Sequence, residues 1–122
     1  MNYGLDIIDG KFINNKYYLK YQKITKAAKL RLSIKHGEKH HILPKSMGGS
    51  DEETNLVMLT YREHYICHWL LPKCTVGKDC ASMYYAFKSM RIQDKSYVRS
   101  VNSSREYEVK RVARLKNLRV SA

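Results

Sequence analysis

Apolar residues recur at helical intervals near both ends of the chain. The segment 16–34 is rich in Lys, Leu, Ala and Ile, and its apolar and aromatic positions are spaced for the faces of a helix. This pattern predicts a helix from about Lys16 to Ile34, with Gly37 as its stop signal. Similar spacing predicts two further helices, Cys80–Met90 and Arg105–Val120, and the second of these is strongly basic.

The spacing changes in the middle of the chain, where two short runs have the length of strands. Residues 39–43 predict a strand that is closed by Pro44. The polar loop that follows contains Gly48-Gly49, a strong turn signal. Leu56–Leu59 is then a continuous apolar run of strand length. The chain is therefore predicted to be α+β, a mostly helical small domain with two strands near its centre.

The start of the next helix is marked by a capping box. Thr60 and Glu63 have the spacing of a capping box. In this motif the threonine hydroxyl accepts from the backbone N–H of the third helical residue, and the glutamate side chain accepts from the threonine backbone N–H. A helix is therefore predicted from Tyr61 to about Leu71. His64 and His68 are four residues apart on it, so their side chains lie on one face.

Histidine is concentrated between residues 38 and 68, which contain four of the five in the chain. The order is an adjacent pair, His40 and His41, then Asn55, then His64 and His68. Imidazole is a common transition-metal ligand and a proton acceptor near neutral pH. Three ligands with an open coordination position characterise a catalytic metal site. Adjacent strand residues face opposite sides, so His40 and His41 are predicted to have different roles, and their spacing alone leaves open which one faces the metal.

Basic charge is distributed unevenly along the 122 residues, which are long enough for one domain. Residues 1–37, a basic N-terminal helix region, carry a net charge of +6. The central region 38–72 carries −2, and the basic C-terminal helices in 73–122 carry +8. A nearly neutral histidine centre between two cationic arms suits a polyanion, with nucleic acid the leading candidate.

The cysteines and the N-terminal sequence bear on the cellular compartment. Cys67, Cys74 and Cys80 are odd in number and have no C-x-x-C spacing, so neither a disulfide framework nor a zinc ribbon is predicted. No basic region followed by an apolar run begins the chain, and no stretch approaches 18 apolar residues. We therefore expect a protein of the reducing cytoplasm, which is the host cytoplasm if the gene belongs to a phage.

The segment EKHHILPKSMGGSDEETNLVMLTYREHYICHWLL (38–71) resembles the HNH, or His-Me finger, nucleases, and specifically their phage-borne, free-standing homing-type branch. The histidine and asparagine spacing, the Gly-Gly loop and the capping box all agree with that family. The two flanks match it more weakly. The resemblance implies a ββα-metal unit and a single HNH nuclease domain over 1–122.

The family also implies roles for individual residues. His41 would be the general base that takes a proton from the attacking water. Asn55 would tie the loop together by hydrogen bonds to its backbone, and Glu38 would be an outer partner of a histidine. One divalent cation, Mg²⁺, Mn²⁺ or Zn²⁺, would contact the phosphate and the leaving 3′ oxygen; its ligands would be His40, His64 and His68.

These expectations describe a metal-dependent endodeoxyribonuclease that leaves 5′-phosphate and 3′-hydroxyl ends. Its partner would be DNA, most naturally double-stranded, and it would act as a monomer or a homodimer. One alternative is a non-catalytic nucleic-acid-binding module with a structural zinc site, and another is a toxin-like non-specific nuclease, against which the lack of a translocation region argues. The candidate DNA-binding residues are Lys39, Lys45, Arg62, Arg105, Lys110, Arg111 and Arg114.

Overall fold

The computed structural model describes residues 6–92 and 101–121, and within them the fold is α+β with helices predominant. These described residues form two small antiparallel sheets and four α-helices. The strands and helices in chain order are β1 (Ile7–Ile8), β2 (Phe12–Ile13), α1 (Lys16–Leu30), β3 (Glu38–His41), β4 (Leu56–Leu59), α2 (Tyr61–Leu70), α3 (Gly77–Arg91) and α4 (Ser104–Ser121).

A short hairpin that sequence analysis did not predict precedes α1. Its two strands are joined by a turn in which Asp9 and Gly10 have φ values of 53° and 67°. An Asp-Gly pair suits such a turn because both positions need a positive φ. The Asn15 side chain then caps α1 by accepting from the backbone of Tyr17 and Tyr18.

Helix α1 ends at Leu30, four residues before the predicted end at Ile34. The chain leaves the helix at Arg31, whose guanidinium makes two hydrogen bonds to the Glu63 carboxylate, at 2.8 and 3.0 Å, and one to the Met58 carbonyl at 2.9 Å. These partners lie far along the sequence. A tertiary ion pair therefore holds the chain at the point where it leaves the helix.

Strands β3 and β4 pair antiparallel, with His40 opposite Val57 and His41 opposite Leu56. β4 has the predicted bounds, whereas β3 begins and ends earlier than the predicted strand 39–43. The connecting loop is tightly folded. A Cβ atom on Gly49 would overlap the carbonyl oxygen of Leu43, so only glycine allows this approach.

Helix α2 begins where the capping box predicts. The Thr60 hydroxyl accepts from the Glu63 N–H at 3.2 Å, and the Glu63 carboxylate accepts from the Thr60 N–H at 2.8 Å. The helix packs against α1, α3 and α4. Its inner face, with Cys67 and Leu70 fully buried, fills the main core. Burial raises the pKa of the Cys67 thiol to about 12, which leaves it an inert packing residue at neutral pH.

A second apolar cluster fastens α4 to α2. Tyr61 and Tyr65 of α2 pack there against Val101 and Tyr107, which are fully buried. Helices α3 and α4 extend slightly beyond their predicted limits. The predicted C-terminal helical region also includes residues 93–100 and residue 122, which lie outside the described residues. Within those described, no helix combines the length and the apolar character that crossing a bilayer requires.

Candidate active site

Three imidazoles from two elements converge beside the sheet formed by β3 and β4. His40 comes from β3, and His64 and His68 come from successive turns of α2. One ligand nitrogen from each ring lies within 4.8 Å of the others, and the ring centroids are 4.8 to 5.3 Å apart. The capping box fixes the start of α2 and the strand register fixes His40, so local signals position all three.

The Tyr21 hydroxyl determines which nitrogen of His40 is available. This hydroxyl is 2.7 Å from His40 Nε2 and 2.7 Å from the carbonyl oxygen of Ile42. A carbonyl can only accept, so the single hydroxyl proton goes to Ile42 and His40 Nε2 must donate to Tyr21. The lone pair of His40 is therefore on Nδ1. Only 3% of His40 is exposed, and this burial, with the nearby imidazoles of His68 and His64, lowers its pKa to about 2.

A carboxylate orients His64 in the same way. The Nδ1 N–H of His64 donates to Glu38 Oε1 at 3.0 Å, which leaves Nε2 with the lone pair. Glu38 also accepts from the Tyr107 hydroxyl at 2.6 Å. Burial alone would raise the pKa of Glu38, but these two hydrogen bonds hold it below its usual value, so the carboxylate is charged near neutral pH.

The residues present fit a transition-metal ion. Burial lowers the pKa of His68 to about 3, so it is neutral like His40, and its buried Nδ1 atom has no hydrogen-bond partner among the described residues. Neutral imidazoles suit Zn²⁺ and related transition-metal ions. Among the described residues, the group comprises these three histidines and no fourth His, Cys, Asp or Glu. A closed structural zinc site would need four protein ligands.

His41 has a different environment from its neighbour, although both line one cleft of about 470 Å³. Its Nε2 lies 2.8 Å from Asp51 Oδ1, and Asp51 also accepts from Lys45 Nζ at 2.9 Å. A carboxylate can only accept, so His41 Nε2 carries the proton and Nδ1 is the basic atom. About 29% of the His41 side chain is exposed. The cleft therefore presents a more exposed imidazole beside the three that converge.

Asn55 holds the loop that carries these groups. Its Oδ1 accepts from the Leu43 N–H at 2.8 Å, and its Nδ2 donates to the carbonyls of Leu43 and Ser50 at 3.0 and 2.8 Å. The backbone carbonyl of Asn55 also accepts from the Ile42 N–H at 2.8 Å. These bonds cross from the start of β4 to the end of β3, and they fix the loop between His41 and Asp51.

The candidate DNA-binding residues do not share one environment. Lys39 and Lys45 line the cleft itself. Arg111 points inward, with Nε buried 3.5 Å from Glu38, a separation that allows an ion pair without an aligned hydrogen bond. The remaining four lie on α2 and α4: Arg62 pairs with Glu108, Lys110 pairs with Glu106, and Arg105 and Arg114 are exposed.

Three side chains of the site were not predicted from the sequence. Tyr21 and Tyr107 come from α1 and α4, and no spacing links either of them to a histidine. Asp51 lies in an acidic loop, and the composition of that loop predicts only a solvent-exposed segment. Asp51 is ten residues from His41 in sequence, but the tight turn at Gly48 brings the two side chains together. A signal for Asp51 existed only in the Gly-Gly turn, which folds the loop back on β3.

Replacing Tyr21 by phenylalanine is expected to weaken metal binding by about 10- to 100-fold, because His40 loses the acceptor that fixes its tautomer. Titration of the purified protein with Zn²⁺ against a chromophoric chelator measures the change. Tyr18→Phe is the matched control, since the Tyr18 ring stacks on Phe12 in the same part of the core, with centroids 4.7 Å apart. Equal affinity of the Tyr21→Phe and wild-type proteins would show that the hydroxyl does not orient His40.

The chain is similar to several proteins of Enterobacteria phage T4. It is 43% identical over 79 residues to "Probable mobile endonuclease D", a match that covers 65% of this chain and 29% of that protein. With "Probable mobile endonuclease C" the identity is 45% over 82 residues, covering 67% and 35%. With "Probable mobile endonuclease E" it is 37% over 78 residues, covering 60% and 55%.

The chain thus spans roughly a third of the length of the first two relatives and about half of the third. No family model matches the sequence, and no solved structure matches it either. The chain therefore combines similarity to phage proteins named as mobile endonucleases with a cluster of three imidazoles and a fourth, more exposed imidazole.

Proposed function

We propose that the protein is a metal-dependent endonuclease of the HNH type, which hydrolyses DNA phosphodiester bonds with His41 as general base. The observation that carries the proposal is the division of the four histidines. Three converge, with His40 buried among them, and the fourth, His41, is partly exposed in the same cleft. The names of the phage relatives support the nuclease class and DNA as the substrate.

His40, His64 and His68 would hold one divalent cation. When bound, such an ion supplies Lewis-acid stabilisation of the charge that develops on the phosphate and on the leaving oxygen. The chain prepares two of the three nitrogens in advance, because Tyr21 sets the tautomer of His40 and Glu38 sets that of His64. No reorientation of these rings is then required when the substrate arrives.

His41 would take a proton from the attacking water at Nδ1. As the water oxygen bonds to phosphorus, the 3′ oxygen leaves and a 5′-phosphate end remains. This proton converts His41 into an imidazolium, and the Asp51 carboxylate lies 2.8 Å from its Nε2 atom. Hydrogen bonds from His41 and Lys45 lower the pKa of Asp51, so its charge is in place before the proton moves. Asn55 keeps His41 and Asp51 in position, because its hydrogen bonds fix the loop between them.

Binding of DNA would depend on basic side chains around the cleft and on the outer helices. The net charge is +12, and Lys39 and Lys45 lie beside the histidines. We expect the logarithm of the association constant to fall linearly with the logarithm of salt concentration, with a slope of about −0.9 for each phosphate neutralised. Fluorescence anisotropy with a labelled duplex in EDTA measures this slope, and an affinity that does not change with salt would contradict it.

The test of the proposed function is cleavage of supercoiled plasmid with Mg²⁺, Mn²⁺ or Zn²⁺, with EDTA as the negative control and His41→Ala as the matched variant. We expect nicked or linear DNA only with metal and wild-type protein. Tight binding of the plasmid without cleavage under any metal would instead favour a non-catalytic binding module. Strand-resolved analysis of the ends then distinguishes nicking from double-strand cleavage.

A further inference from the structure

The cleft beside the histidines has a second wall, which α3 provides. Met83 anchors this helix in the main core and is 3% exposed. On the side of α3 that faces the cleft, Ser82, Tyr85, Ala86 and Ser89 line the space. Their spacing of three, four and seven residues is that of one helical face. The histidines and α3 therefore enclose the cleft from two sides.

The two walls differ in charge. The wall built from β3 and the loop after it carries Lys39 and Lys45 beside the imidazoles. The α3 residues that line the cleft are hydroxyl, methyl and aromatic side chains without formal charge. A nucleotide in the cleft would therefore direct its phosphate to the first wall and its base to the second.

Tyr85 stands out on the α3 wall because 65% of it is exposed. Its neighbours on that face, Ser82, Ala86 and Ser89, are too small to cover a large ring. Its ring contact within the described residues is an edge-type one with Tyr84, with centroids 6.3 Å apart and no stacked partner. A large aromatic side chain left in water beside a catalytic cleft is a common feature of ligand contact.

We propose that Tyr85 is a stacking platform for the nucleobase next to the scissile phosphate. This proposal rests on the proposed nuclease function and deepens it. Bases stack on aromatic side chains largely regardless of sequence, because every base has a π-face. In an intact duplex the neighbouring pairs cover both faces of a base, so the contact requires a base that is unstacked. The favoured substrate class is therefore DNA with an unpaired or mismatched base at the cut.

The experiment compares wild-type protein with the variants Tyr85→Ala, Tyr85→Phe and Tyr84→Ala. Tyr84 is the control because it is 58% exposed on the adjacent position of α3 and is absent from the cleft lining. The substrates are two labelled oligonucleotide duplexes around a mapped cleavage site, one fully paired and one with a single unpaired base beside the cut. Affinity is measured in EDTA, and kcat and KM are measured with Mn²⁺.

We expect wild-type protein to prefer the duplex with the unpaired base, and Tyr85→Ala to weaken its binding and raise its KM by about 5- to 150-fold. Tyr85→Phe keeps the ring and should retain most of the affinity, and Tyr84→Ala should have a much smaller effect. Equal affinity for the two duplexes, or equal effects of the alanine variants at 84 and 85, would overturn the stacking role.

The two proposals fail in different ways. Cleavage by the wild-type protein with no effect of Tyr85→Ala removes the platform and leaves the nuclease. Binding that depends on Tyr85 without any metal-dependent cleavage keeps the platform and removes the nuclease. Absence of both binding and cleavage overturns both.

Discussion

His41→Ala is expected to lower kcat for DNA cleavage by about 10²- to 10⁴-fold, the contribution of a positioned general base. The variant should keep its affinity for metal and for DNA. His41 is not one of the three convergent imidazoles, and its side chain is partly exposed, so its loss leaves the core intact. Single-turnover cleavage of a labelled duplex measures the rate, and anisotropy with the same duplex measures binding.

Asp51→Asn provides an internal comparison for this prediction. The amide keeps the size of the side chain and removes the charge that faces His41. The rate should fall less than in His41→Ala, because the base is still present while its imidazolium loses a stabilising partner. A His41→Ala protein that cleaves at nearly the wild-type rate would remove His41 from the role of base, whatever the behaviour of Asp51→Asn.

The second large effect is expected at the three convergent histidines. His68→Ala should weaken binding of Zn²⁺ or Mn²⁺ by more than about 100-fold, because losing a ligand should cost more than the 10- to 100-fold typical of an outer partner. Cleavage should be lost with it. Isothermal titration calorimetry gives the affinity without reference to activity. His36→Ala is the matched control, since His36 is the one histidine outside the 38–68 segment and is not in the cluster.

An unchanged metal affinity in His68→Ala would contradict the three-ligand site. Loss of metal binding in His36→Ala as well would show that general histidine content, and not the cluster, holds the ion. Circular dichroism of both variants distinguishes unfolding from loss of the ligand, because His68 is partly buried against the core.

Much of the site follows from local signals in the sequence. Thr60 and Glu63 fix the first turn of α2, so His64 and His68 are in phase without help from the rest of the fold. The apolar run Leu56–Leu59 forms β4 with its predicted bounds, and its pairing with β3 brings His40 to α2. Short-range chemistry was sufficient for these elements.

The parts that could not be predicted depend on residues distant in the chain. At the end of α1, Arg31 pairs with Glu63, which is 32 residues away in the chain. Tyr21 reaches His40 across 19 residues, and Tyr107 reaches Glu38 across 69. Both tyrosines lie in predicted helices, but helical spacing alone does not indicate a contact with His40 or Glu38. The tautomers of His40 and His64 are therefore a property of the tertiary packing.

The most direct test of the central claim is a crystal structure of the protein grown with Mn²⁺ or Zn²⁺, with anomalous scattering used to locate the ion. We expect one ion bonded to nitrogens of His40, His64 and His68, at about 2.0–2.1 Å for Zn²⁺. No fourth protein ligand should be present, and His41 should remain unbound. An ion closed by four protein side chains, or one bound away from these three rings, would contradict the claim.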